Sequence, residues 1–96
     1  MWAVVDAAGN LVRDNGASGA TNVAEGSYIV TFDQALSTCG AVATAAGAAT
    51  LPQSQLATGF AMVSPNPADP NQLVVHMFEG QNGQAANLAF TAAVFC

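Results

Sequence analysis

The chain has 96 residues, of which 52% are hydrophobic and only 7% charged, and it carries a net charge of −5. Arg13 is its sole Lys or Arg, which excludes nucleic acid and anionic membrane surfaces as partners, since both are bound through cationic side chains. No apolar run reaches the ~20 residues of a spanning helix, so no membrane insertion is expected, and a chain of this length fits one domain, 1–96.

Trp2 to Val5 is a short apolar strand with no basic segment before it, so any export signal is expected to have been removed or to lie in a longer parent chain. Ala7-Ala8-Gly9-Asn10 reads as a turn, and Leu11 to Arg13 returns as the second arm of a hairpin. Asp14 to Gly19 is small and polar and reads as a loop. Thr21 to Ala24 and Ser27 to Phe32 flank Glu25-Gly26 as a second hairpin. Within its second arm Tyr28, Val30 and Phe32 share one face, and Ser27, Ile29 and Thr31 the other, the period of a half-buried strand.

Asp33 to Thr38 is a connector, and Cys39 to Thr44 reads as a buried strand. Ala45 to Ala49 is alanine-rich but broken by Gly47, with Pro52 close behind, which leaves a loop or a single turn. Leu56 to Ser64 reads as a strand. Pro65 to Asn71 holds three prolines and reads as a stiff surface loop. Leu73 to Phe78 is a strand, Gly80 to Gly83 a hairpin turn with an Asn-Gly step, and Leu88 to Cys96 the last strand. Its two faces, Phe90/Ala92/Val94/Cys96 and Thr91/Ala93/Phe95, are both nearly apolar, so burial on both sides is expected, one side in a subunit interface. The result is all-β: an antiparallel β-sandwich of about six to seven short strands.

Cys39 and Cys96 are the only cysteines. Their distance in sequence fits neither a Cys-x-x-Cys couple nor a zinc site, which needs three or four ligands. A disulfide in an oxidising compartment is the preferred reading, stabilising the fold by about 4 kcal/mol through loop closure. Two buried thiols or an intermolecular bond are the alternatives.

Trp2 to Arg13 resembles the opening of small all-β modules in actinobacterial and phage-associated surface or fibre proteins. Gly26-Ser-Tyr-Ile-Val-Thr-Phe-Asp33 with Cys39 to Thr44 is similar to their middle, and Ala92 to Cys96 to their end, where a terminal cysteine closes the domain. More distantly, the strand order is similar to the β-sandwich of H-type lectins and tail-fibre tips. That likeness implies a trimer and binding to a glycan or cell-surface receptor.

Four side chains stand out as interface or ligand candidates: Trp2, Tyr28, His76 and Phe95. Trp2 and Tyr28 are amphipathic aromatics of the kind that stack on sugars, although their strand positions also suit a core or interface. His76 shares a face with Val74 and Phe78, which favours a hydrogen-bonded buried or interface histidine. A hydrolase built on it would need a serine or carboxylate within reach of the ring. Asp6, Asp14 and Asp33 adjoin turns and read as caps, as do Asp69 and Glu79, because no Asp-x-Asp-x-Asp cluster is present for calcium. Arg13 is expected to pair with Asp6 across the first hairpin.

No catalytic, metal or cofactor motif is present, so the expected function is non-enzymatic. A soluble domain is usually about 25% charged. This one must face its surroundings with Ala, Gly, Ser, Thr, Asn and Gln, a surface easily buried against a copy of itself. The expectation is an extracellular or cell- or virion-surface module, structural or adhesive, that self-associates as a homotrimer. Carbohydrate binding through oligomeric avidity is the alternative.

Overall fold

The computed structural model describes residues 1–47, 59–80 and 82–96. In them the alternating pattern becomes eight strands: β1 (Trp2–Val5), β2 (Leu11–Asn15), β3 (Ala17–Ala24), β4 (Ser27–Phe32), β5 (Gly40–Ala45), β6 (Gly59–Pro65), β7 (Gln72–Glu79) and β8 (Phe90–Phe95). They form two four-stranded antiparallel sheets, ordered β2-β1-β8-β5 and β3-β4-β7-β6. The fold is thus the all-β sandwich that the strand spacing predicts, with one more strand than the upper count of seven.

Each central strand sends every second residue into the space between the sheets. From β4 come Tyr28, Val30 and Phe32, and from β7 Leu73, Val75 and Met77. Facing them are Ala3 and Val5 of β1 and Phe90, Ala92 and Val94 of β8. Burying each Val, Leu, Met or Phe contributes about 1.5–3 kcal/mol, so these central strands supply most of the driving force.

Small side chains allow the elements at one end to approach closely. In the first turn the Asp6 carboxylate accepts hydrogen bonds from the Ala8 N–H (3.0 Å), the Asn10 N–H (2.8 Å) and the Asn10 side-chain amide (3.1 Å). Gly9 has φ +95° there, and a Cβ on it would stand 2.5 Å from the backbone nitrogen of Asn22 in β3. Tyr28, fully buried, donates its hydroxyl to the Ala7 carbonyl at 2.6 Å. The Asn87 side-chain carbonyl accepts from the Gly26 N–H (2.7 Å) and from the Asn22 amide (3.3 Å), tying the β7–β8 connection to the β3–β4 turn.

At the opposite end, Leu36 is buried and its N–H donates to the Pro70 carbonyl at 2.8 Å. Cys39 and Cys96 are joined within the chain by a disulfide, with Cα atoms 4.1 Å apart. It fastens the end of the central strand β8 to the entry of the edge strand β5.

Several sequence expectations need correction. Asp14 to Gly19 is not a loop: β2 runs to Asn15 and β3 begins at Ala17, with Gly16 as the break between the sheets. Polar residues serve there because both strands lie at sheet edges, where one side meets solvent. The strand at Gly40–Ala45 is not buried but is an edge strand, with Val42 exposed. After β7 the Gly83 N–H donates to the Glu79 carbonyl at 2.9 Å, Gln81 of the expected turn lying outside the described residues, and among the described residues the return makes only the bridge Phe78–Ala85 before the chain crosses to the other sheet. The last strand buries Phe90, Ala92 and Val94 as expected, and Phe95 on its other face is accessible in the single chain. Arg13 is not the partner of the Asp6 carboxylate, which is turned into its own loop. Parts of the expected segments Ala45 to Ala49 and Leu56 to Ser64 lie outside the described residues.

Candidate functional site

The alternation that fills the core also decides what the two sheets present outward. On the β3-β4-β7-β6 sheet, directly opposed residues form rows across the strands. One row runs Ala24, Ser27, His76, Met62, and the next Thr21, Ile29, Val74, Ser64. Phe78 lies opposite Phe60, and their rings stack with centroids 5.1 Å apart and planes 20° from parallel. Met62 is 61% exposed and Phe60 48% exposed. Two large apolar side chains are thus accessible to solvent on the same face of one strand.

Two pairs of polar side chains on this face bond each other. The Ser27 hydroxyl lies 3.1 Å from Nδ1 of His76, and the Gln72 amide donates to the Thr31 hydroxyl at 3.4 Å. None of the registered outward positions of this sheet holds Asp, Glu, Lys or Arg.

The outer face of the β2-β1-β8-β5 sheet mixes apolar side chains with small polar ones and one charge. Trp2 lies opposite Ala93, which lies opposite Val42, and Arg13 lies opposite Val4. Phe95 lies opposite Gly40. Its ring covers the glycine so closely that a Cβ there would stand 2.6 Å from the ring edge. Trp2 is 39% exposed and Phe95 60% exposed.

The four candidate side chains are therefore separated. Trp2 and Phe95 share one outer face, and His76 is on the other. Tyr28 is in the core, where its ring meets Phe90 and its hydroxyl is bonded, so it offers no surface. His76 is exposed rather than buried. Phe60, Met62 and Val42 were read only as strand residues, yet they are among the most exposed large apolar groups. The alternation of Phe60, Met62 and Ser64 against Ala61 and Val63 was the available signal, with Phe60 and Met62 on the outward side.

Two groups titrate away from their usual ranges. Hydrogen bonds from the Asn10 backbone and side chain, with smaller backbone contributions, hold the Asp6 carboxyl below the usual carboxylate range. Burial pushes the Tyr28 phenol up, with the Asp6 charge adding to the effect and a Leu88 backbone hydrogen bond opposing it. Among the described residues, no three His, Cys, Asp or Glu are grouped to hold a metal ion. Asp14 and Asp69 act as backbone caps, accepting from the Ala17 N–H (3.2 Å) and the Asn71 N–H (3.0 Å). Glu79 accepts from the Asn82 side chain at 3.2 Å.

The serine partner that a His76-centred hydrolase would need is present as Ser27, but among the described residues no carboxylate hydrogen-bonds the ring to orient it. The pair lies on a strand row between Ala24 and Met62. A nucleophile also needs donors aimed at a developing oxyanion, and the row brings no side-chain donor beside it. No helix among the described residues is long and apolar enough to cross a membrane. No family model matches the chain, and neither a curated protein nor a solved structure matches it.

Proposed function

We propose that this chain is a non-enzymatic extracellular module with a structural or adhesive role, and that it works by associating with copies of itself. The supporting observation is the accessibility of Phe60, Met62, Trp2 and Phe95 on sheet faces almost free of charge. Exposing such groups to water is unfavourable, and covering them with a like surface regains about 25 cal/mol per Å² of apolar area. The intrachain disulfide fits an oxidising compartment, which supports placement outside the cell or on a cell or virion surface. Sedimentation velocity of the oxidised chain over a concentration series tests the proposal. A sedimentation coefficient that rises with concentration supports it, and a monomer at every concentration overturns it.

Glycan binding is the second reading. It draws on the Phe95 ring lying over Gly40, with the indole of Trp2 on the same face. Flat aromatic surfaces of this kind stack against sugar rings. A glycan array tests it: binding lost in Trp2→Ala supports a sugar platform, and a silent array removes it.

A further inference from the structure

We infer that the outer face of the β3-β4-β7-β6 sheet is the homotypic contact, packing on the same face of a second copy, with His76 on a central strand and Met62 beside it on the edge strand β6 both in the contact. This inference rests on the self-association reading and assigns it a surface.

Charge selects the face. Two copies of net charge −5 repel wherever their carboxylates meet. Asp6 and Glu25 sit in turns at one end of the sandwich, and Asp33 and Asp69 in connections at the other. Asp14 lies on the edge strand β2, and Glu79 closes β7. The middle of the β3-β4-β7-β6 face is clear of all six. The other outer face carries Arg13 opposite Val4, with Asp14 beside it in sequence. A charged partner would find no complement on the neutral face, whereas a second copy of that face meets no repulsion.

Part of the polar surface is already paired, Ser27 with His76 and Gln72 with Thr31, while the Thr21 and Ser64 hydroxyls on the same face would meet their counterparts on the second copy.

Size sets the strength. Four strands about 4.8 Å apart and seven residues long at about 3.3 Å each span roughly 19 × 23 Å. Two such faces bury on the order of 900 Å² in total, the range of weak, reversible contacts. A face packed on its own copy is isologous and closes as a two-fold pair. The subunit number expected from this face is therefore two, where the family resemblance implies three.

Sedimentation equilibrium of the oxidised wild-type chain, Met62→Lys and Val42→Lys tests the assignment. Both replaced side chains are exposed, at 61% and 55%, so neither change disturbs the core. Met62→Lys is expected to weaken association by about tenfold or more, and Val42→Lys by no more than about twofold. The reverse pattern, or equal insensitivity of both, would overturn the face while leaving self-association standing. A wild-type chain that never associates would overturn both. Dilution-dependent NMR shifts give an independent reading. Shifts centred on Phe60, Met62 and Val74 support the face, and shifts centred on Trp2 and Phe95 contradict it.

Discussion

Tyr28 of β4 and Phe90 of β8 meet edge to face across the two sheets, with ring centroids 5.0 Å apart and planes at 64°. Both side chains are fully buried, and the Tyr28 hydroxyl continues to the Ala7 carbonyl. One side chain thus joins both sheets and the first turn. Tyr28→Phe keeps the ring contact and loses the hydrogen bond, so it should lower stability by about 1 kcal/mol in urea denaturation. Phe90→Ala should cost about 3–5 kcal/mol. Tyr28 is the only tyrosine, so its ionisation can be followed by absorbance without interference. Its folded pKa is raised, so the stability it contributes is whole below about pH 10 and is lost as pH rises through the folded value. A Tyr28 that ionises as a free phenol in the folded chain would contradict its burial.

Asp6 works in the opposite direction. Its folded pKa is lowered, so its contribution is present above the usual carboxylate range and is lost as pH falls through the folded value. Asp6→Asn should lower the thermal midpoint near neutrality, change it little at low pH, and so flatten the acid limb of its plot against pH. A variant whose acid limb matched the wild type would show that the turn draws no stability from this charge.

Gly9 and Gly83 both have positive φ, at +95° and +68°, but their surroundings differ. A Cβ on Gly83 meets nothing within 4 Å, whereas one on Gly9 runs into the β3 backbone at Asn22. Gly83→Ala should therefore cost about 1 kcal/mol, the conformational penalty alone. Gly9→Ala should cost about 2 kcal/mol or more, because backbone must also move. Equal losses in denaturant titrations would mean that the first turn does not pack on β3 as described.

The disulfide closes a span of 57 residues. Replacing both cysteines with serine should lower stability by about 4 kcal/mol, as should reduction of the wild type. Thermal midpoints measured with and without reductant read this directly. A midpoint indifferent to reductant would contradict the fastening of β8 to the entry of β5.

Much of the sandwich was legible because its central strands obey a period of two. Ser27 to Phe32 shows this best, with Tyr28, Val30 and Phe32 inward as the alternation requires. Edge strands were harder to read. Asp14 to Gly19 lacks β-branched and aromatic residues, and the register shift at Ala17/Gly19 breaks its alternation. Cys39 to Thr44 is apolar only through small residues and one valine, and alanine does not distinguish a core strand from an edge. The Asn-Gly turn after β7 was legible as a turn, but nothing local shows that the chain then changes sheets. For the surface, alternation placed His76 correctly with Val74 and Phe78. Whether that face was covered depends on which strands join the sheet, and no single strand records that.

The most direct measurement is sedimentation equilibrium of the oxidised wild-type chain beside Met62→Lys at matched concentrations. The wild type should fit a reversible monomer–dimer equilibrium, and Met62→Lys should associate about tenfold or more weakly over the same range. A wild-type chain that stays monomeric into hundreds of micromolar would contradict the claim that its uncharged sheet face is there to meet a copy of itself.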